Sequence, residues 1–187
     1  MIFEKQMSTR SKYLSLLKQF DAPELKTICT PVPFGTRDMP WLWDLRKVCG
    51  FTDNGVGLAA PQIGILQRAI FVCPDRRDVG RFMINPEITQ RSINYVSMVE
   101  GCLSYPGISL QLSRSESIHV TFWDERWKKH TDQFFTGLAC RIVLHEIDYL
   151  DGICRVGDEW RRQKCRHEFL DMDGCCKSCG ADCRGIA

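Results

Sequence analysis

Apolar positions along this chain follow two periods, and the switch between them predicts its architecture. Residues 117–124 (SIHVTFWD) alternate, with Ile118, Val120 and Phe122 on one face, the pattern of a half-buried strand. Residues 69–73 (AIFVC) form a short unbroken apolar run of the kind a buried strand carries. Residues 82–94 alternate loosely and predict one or two strands, and Phe134 with Phe135 suggests another. Helical spacing appears over residues 40–49, where Leu42, Leu45 and Val48 are apolar. It returns over residues 137–149, where Leu138, Arg141, Ile142, His145 and Tyr149 fall at steps of three and four and share a face. Gly152 suits the stop of that helix. Residues 159–171 read as a final charged helix, and no internal repeat is visible. Strands followed by a late helix predict an α+β fold.

Composition narrows the picture. A chain of 187 residues is enough for one domain with a real core and a short tail. The net charge of +2 gives no signal for a nucleic-acid partner. No apolar run approaches the roughly 18 residues of a membrane helix. The first residues lack a continuous apolar core, which argues against a secretory signal; their Ser, Lys and Arg content has a faint organellar character that Glu4 and Asp21 oppose. Of eleven cysteines, Cys29, Cys49, Cys73, Cys102, Cys140 and Cys154 are scattered among apolar residues, as expected of small buried side chains in a reducing compartment. The other five crowd into the C-terminus.

Three short segments carry candidate chemistry. His145 and Glu146 are adjacent on the predicted helix, about 100° apart around its axis, so a metal ligand at 145 leaves the carboxylate beside the metal, placed to handle a proton. In Glu100-Gly101-Cys102-Leu103-Ser104 a thiolate is available to a soft divalent metal, and the backbone N–H after it to a substrate oxygen. The glycine-rich stretch over residues 55–64 lacks the lysine and hydroxyl of a phosphate loop, but suits close backbone approach to an extended ligand, with Gln62 as an amide donor. Taken singly, each has a plain structural reading: a chance helix pair, a core cysteine, a tight turn.

Together, Gly-Val-Gly-Leu-Ala-Ala-Pro-Gln (55–62), Glu-Gly-Cys-Leu-Ser (100–104) and His-Glu-Ile-Asp-Tyr-Leu-Asp-Gly (145–152) closely resemble the three signature motifs of peptide deformylases. Residues 21–32 resemble that family's lead-in, and Met83-Ile84-Asn85-Pro86 its strand before the second motif; the resemblance spans about residues 20–155. It implies antiparallel sheets around a central helix bearing the third motif, and removal of the N-formyl group from N-formylmethionyl polypeptides with release of formate. It implies a divalent metal, Fe2+ first with Zn2+ or Ni2+ as alternatives, held by Cys102, His145 and whatever stands at 149. Glu146 corresponds to the general acid/base, and Gln62 with the Leu103 N–H to the oxyanion donors. Gly57 corresponds to a backbone contact with the substrate, Val56, Met98, Leu138 and Ile142 to the methionine pocket, and Glu100 joins the substrate-binding set. An Arg114–Asp148 ion pair is expected to hold the central helix. Partners implied are nascent formylated chains and the ribosome, with no membrane; the setting is cytoplasmic (bacterial or phage-host), or organellar.

The departure is Tyr149, where the pattern calls for a second histidine. A phenolate ligand, a site of Cys102 and His145 alone, and a ring that fills the metal space while donating to a neighbour such as Glu146 are the open outcomes. The last two keep alive a catalytically silent relative that binds peptide N-termini or a partner. A zinc peptidase with two helical histidines has no use for the other motifs. Outside the resemblance, Cys176 and Cys179 have zinc-site spacing, and Cys183 with Cys165 or His167 would complete four ligands of a structural Zn2+. The expected organisation is an N-terminal extension (1–20), a catalytic domain (21–158), and a C-terminal helix with the Cys-rich tail (159–187).

Overall fold

Strand β2 shows why one sheet carries a helix on each face. In the computed structural model, which describes residues 8–75, 78–165 and 175–177, β2 is Ala69–Val72 and all four residues are buried. Ile70 and Val72 join the core around helix α3 (Gly137–Leu150), with Ile142, Val143, Ile147 and Leu150. Ala69 and Phe71 join a second core around α2 (Pro40–Phe51), with Leu42, Leu45 and Val48. A strand covered on both sides cannot alternate, so its sequence is an unbroken apolar run.

The rest of the antiparallel sheet follows in the order β1 (Gly57–Ala59), β2, β3 (Arg81–Arg91), β6 (Ser117–Trp123) and β7 (Lys129–Thr136), leaving β1 at an edge. β6 is the half-buried strand its alternation predicts, with Ile118, Val120 and Phe122 in the core. β4 (Tyr95–Cys102) and β5 (Tyr105–Ser115) form a separate two-stranded hairpin. The N-terminal helix α1 (Thr9–Leu14) packs on α2. In β3, Asn85 takes a positive φ of 48°, which asparagine tolerates better than most residues, and its side-chain amide bonds both the N–H and the C=O of Val32 at 2.8 Å. That clamp ties the lead-in segment to the sheet.

Helix α3 ends at Asp151, and Gly152 turns the chain at φ 72°. A Cβ at 152 would stand 2.8 Å from the Lys26 carbonyl oxygen, so only glycine fits. The turn leads directly into α4 (Arg155–Lys164) with Cys154 as its N-cap. The charged helix expected over 159–171 therefore begins at Arg155 and ends at Lys164, because the α3 turn delivers the chain to a new helix at once; residues 166–171 lie outside the described residues. Residues 82–94 yield one strand, β3, rather than two.

Candidate active site

Helix α3 and edge strand β1 face each other across a cavity of about 450 Å3 that the β4–β5 hairpin closes from the side. α3 contributes Leu138, Arg141, Ile142, His145 and Glu146 to its wall. The near contact of β1 with α3 explains the glycine at 57: a Cβ there would lie 2.6 Å from Glu146 Oε1 and 2.6 Å from Ile142 Cγ2.

Glu146 is buried in this wall, and its Oε2 has no hydrogen-bond partner among the described residues. Burial is the main reason its carboxyl is pushed up to about 7, with nearby His145 and Arg114 opposing. His145 is oriented from behind. Its Nδ1 meets Glu100 Oε2 at 2.9 Å, leaving Nε2 as the nitrogen for other partners. Glu100 also receives Arg114 (2.6 and 2.9 Å) and Arg141 (2.7 Å). Burial alone would raise the Glu100 carboxyl; hydrogen bonds from His145 and Arg114 outweigh it and hold it far below the usual carboxylate range. Arg114 also pairs with Asp148, the ion pair expected from the family resemblance, and Arg155 Nε reaches the same carboxylate at 2.8 Å. Gln62 is fixed by the Ala59 N–H (2.9 Å to Oε1), while its Nε2 donates to Ser104 Oγ at 3.1 Å and lies 3.9 Å from Cys102 Sγ.

Tyr149 does not reach Glu146. Its hydroxyl lies 2.8 Å from Cys102 Sγ and 2.8 Å from Cys154 Sγ. Of the open outcomes, a ring that hydrogen-bonds a neighbour is the one seen, but the neighbours are the two sulfurs at the end of β4 and the α4 N-cap rather than Glu146. A single hydroxyl proton serves one sulfur while the oxygen accepts from the other. Burial raises the Cys102 thiol and the Tyr149 phenol well above their ordinary values. Cys154 moves the other way, to about 6: the neighbouring Cys102 is the main cause, burial opposes, and the Tyr149 hydroxyl and the Gly157 N–H in α4 add to the lowering.

Val56, Gly57, Gln62, Glu100, Cys102, Leu103, Leu138, Ile142, His145 and Glu146 all line the one cavity. Met98 does not; it is half-buried on β4, and its neighbour Val99 faces the opening instead. Tyr149 and Cys154 are buried beneath the floor, behind Cys102. Both Glu100 carboxylate oxygens are taken up by Arg114, Arg141 and His145, an arrangement suited to positioning the ring more than to touching substrate. Cys154 and Ser104 are site residues that sequence reasoning missed as such. The single available hint was Cys154's place just after the third motif.

A buried carboxylate poised to move protons, an imidazole and a thiol around one cleft, on an α+β scaffold, are the parts of a metal-dependent hydrolase. The chain belongs to the polypeptide deformylase family, whose profile matches residues 15–165. It is 43% identical over 140 residues to the peptide deformylase of Thermodesulfovibrio yellowstonii, covering 73% of this chain and 84% of that one. Among solved structures it resembles a probable peptide deformylase from Synechococcus phage S-SSM7 (36% identity, TM-score 0.67, 74% of this chain and 95% of that one). It also resembles the Synechococcus elongatus peptide deformylase solved in complex with actinonin (26% identity, TM-score 0.70, 79% and 86%). The family removes N-formyl groups from formylmethionyl peptides with a divalent metal.

The donors present suit such a metal in kind: two sulfurs, an imidazole and a phenol oxygen favour a soft divalent cation. They are not pre-gathered into a cage; among the described residues no three His, Cys, Asp or Glu side chains stand close enough together to hold an ion.

Proposed function

We propose that this chain deformylates N-formylmethionyl ends of nascent polypeptides, with Glu146 as general acid/base, Gln62 and the Leu103 N–H as oxyanion donors, and Fe2+ as the working metal (Zn2+ or Ni2+ in its place when supplied). The observation that carries this reading is the buried Glu146, whose Oε2 has no partner among the described residues, facing the same cavity as Cys102, His145 and Gln62. Near neutrality such a carboxyl exchanges a proton readily. Cys102 and His145 would hold the metal, which supplies Lewis-acid polarisation of the formyl carbonyl. The chain's own residues do the rest. Glu146 takes the proton of the attacking water and later returns it to the departing amine. Gln62 Nε2 turns from Ser104 toward the developing oxyanion. The open edge of β1 at Gly57, with Val56 just before it, lies along the cavity, where an extended peptide can add main-chain hydrogen bonds. Leu138, Ile142 and Val56 give the side chain an apolar seat, with Val99 beside them.

Formate release from formyl-Met peptides, measured with added Fe2+, Ni2+ or Zn2+, tests the reading. Glu146→Gln should lower kcat by roughly 10²–10⁴-fold. Tyr149→His should raise the rate at least about tenfold by restoring an imidazole. The hydroxyl of Tyr149 held between two sulfurs supports a second reading, a silent binder of peptide N-termini or of a protein partner. No formate with any metal, together with retained peptide binding, would select it.

The cytoplasm, where formylated chains leave the ribosome, is the setting we assign, with the ribosome as a transient partner. Among the described residues no helix is long and apolar enough to cross a membrane. For the tail we propose a structural Zn2+. Its support is the approach of Cys165 Sγ and Cys176 Sγ to 3.2 Å across ten intervening residues; Cys179, Cys183 and His167 lie outside the described residues. Cys176→Ala should lower zinc stoichiometry by one per chain.

A further inference from the structure

We propose that Cys154 replaces the missing second histidine, so that Cys102, Cys154 and His145 form the metal's ligand set and Tyr149 is the hydroxyl that occupies the space between the two sulfurs when no metal is bound. The inference rests on the deformylase reading for the metal itself, and goes beyond it in the identity of the third ligand.

Three observations converge on it. One point, the Tyr149 oxygen, lies 2.8 Å from both sulfurs, only slightly farther than the ~2.3 Å of a zinc–thiolate bond. The sulfurs are thus no more than twice that separation apart, and a cation taking the place of the hydroxyl draws each inward by a fraction of an ångström. Cys154 is also fixed by backbone rather than by chance. The α3 stop at Gly152, with Ile153 N–H bonded to the Asp148 carbonyl at 2.8 Å, folds the chain back so that Cys154 lands against the end of α3. Finally, Cys102 lines the cavity's floor with Cys154 just behind it, and His145, whose Nδ1 is committed to Glu100, stands one helical turn before Tyr149 with ring centroids 5.6 Å apart; the three are not gathered as they stand, so the cation has to draw them together. A sequence that exchanges an imidazole for a phenol at 149 and carries a thiol within reach of the same point keeps three soft donors. On binding, each thiol releases its proton to solvent and the phenol swings aside as a neutral hydroxyl.

The test uses the full chain loaded with Co2+, reading sulfur-to-cobalt charge-transfer absorption and Co2+ affinity. Tail cysteines contribute equally to wild type and variant, so the difference between them isolates one thiolate. Cys154→Ser should remove the intensity of one Co–S bond and weaken the affinity at least about tenfold, while Tyr149→Phe should keep the full intensity and bind within a few-fold of wild type. In a Tyr149→His background the added imidazole makes Cys154 dispensable, so Cys154→Ser there should change affinity little. The proposal is overturned if Cys154→Ser leaves band and affinity unchanged, if Tyr149→Phe abolishes the site, or if Cys154→Ser costs the same in both backgrounds, which marks a purely structural role. Formate release measured in parallel separates the two readings: a two-thiolate signature without formate removes the activity and leaves the ligand assignment standing, and formate without that signature does the reverse.

Discussion

Glu100 on β4 accepts a hydrogen bond from His145 Nδ1 on α3 at 2.9 Å, so one carboxylate of the hairpin sets the ring that faces the cavity. The same carboxylate neutralises Arg114 and Arg141, both buried. Glu100→Gln removes the charge that both buried guanidinium groups share, leaving Arg114 with Asp148 and Arg141 with the backbone carbonyls of Leu112 and Val96. Breaking a buried pair in this way typically costs about 3–5 kcal/mol, and loss of a group that orients a ligand costs about 10- to 100-fold in metal affinity. Urea denaturation and metal titration of Glu100→Gln should both move. A variant as stable as wild type would show that the arginines find other partners.

Asp148 separates a buried ion pair from an exposed one. Arg114 and Arg155 both reach it, but the Arg114 side chain is 4% exposed and that of Arg155 51%. Buried, Arg114 ties β5 to α3; Arg114→Met should lower stability by about 3 kcal/mol and reduce metal retention with it. Arg155→Met should cost under about 1 kcal/mol, since water screens the exposed pair. Equal melting temperatures for Arg114→Met and wild type would refute the assigned role.

Acid should loosen the β6–β7 hairpin before the site. Asp124 caps its turn, accepting from the N–H groups of Arg126 and Lys128 and meeting His130 Nε2 at 3.0 Å. Burial works to raise its pKa, but these bonds outweigh it and the value is lowered. A carboxyl depressed in the folded state binds its proton more weakly there than in the unfolded chain. Its stabilisation is therefore complete above the unfolded value of about 3.9 and is lost as pH falls through the folded value. Asp124→Asn should lower stability at pH 7 and flatten the loss below about pH 4. A parallel acid limb in the two proteins, followed by urea midpoints, would contradict this.

What the sequence made legible follows from where side chains are buried. β6 announces itself because it buries one regular face, and β2 because it buries both; α3 is buried nearly all round, and its apolar steps of three and four still mark it as a helix. The β4–β5 hairpin did not, because Tyr95, Val96 and Val99 are apolar yet exposed and polar residues alternate with them without marking a core. β1 is three residues inside a glycine-rich loop, too short to show a period. At the site, Cys102, His145, Glu146 and Gln62 were legible from motif order alone. The hub at Glu100 was not, since nothing local to a carboxylate reveals that two arginines and a histidine from other elements converge on it. Cys154 was hidden for a similar reason: a thiol among apolar residues reads as core until the Gly152 turn is seen to fold it back on Tyr149.

Gly57 is where fold and chemistry constrain one residue. A methyl group there would meet Glu146 Oε1 and Ile142 Cγ2, each at 2.6 Å, inside the distance any carbon tolerates. Either β1 retreats from α3 or Glu146 is pushed off its position. Overpacking of this size costs about 1–3 kcal/mol, and a displacement near 1 Å of a reacting group costs about 100-fold in rate. Gly57→Ala should therefore lower both stability and formate release, with the larger effect on kcat. Gly50→Ala in α2 is the contrast, because a Cβ there meets nothing within 4 Å. Helix propensity should make it neutral or stabilising by up to about 1 kcal/mol. If Gly57→Ala turned over like wild type while losing stability, Glu146 would have to reach its working position without the close approach of β1, and the account of why glycine stands at 57 would reduce to packing.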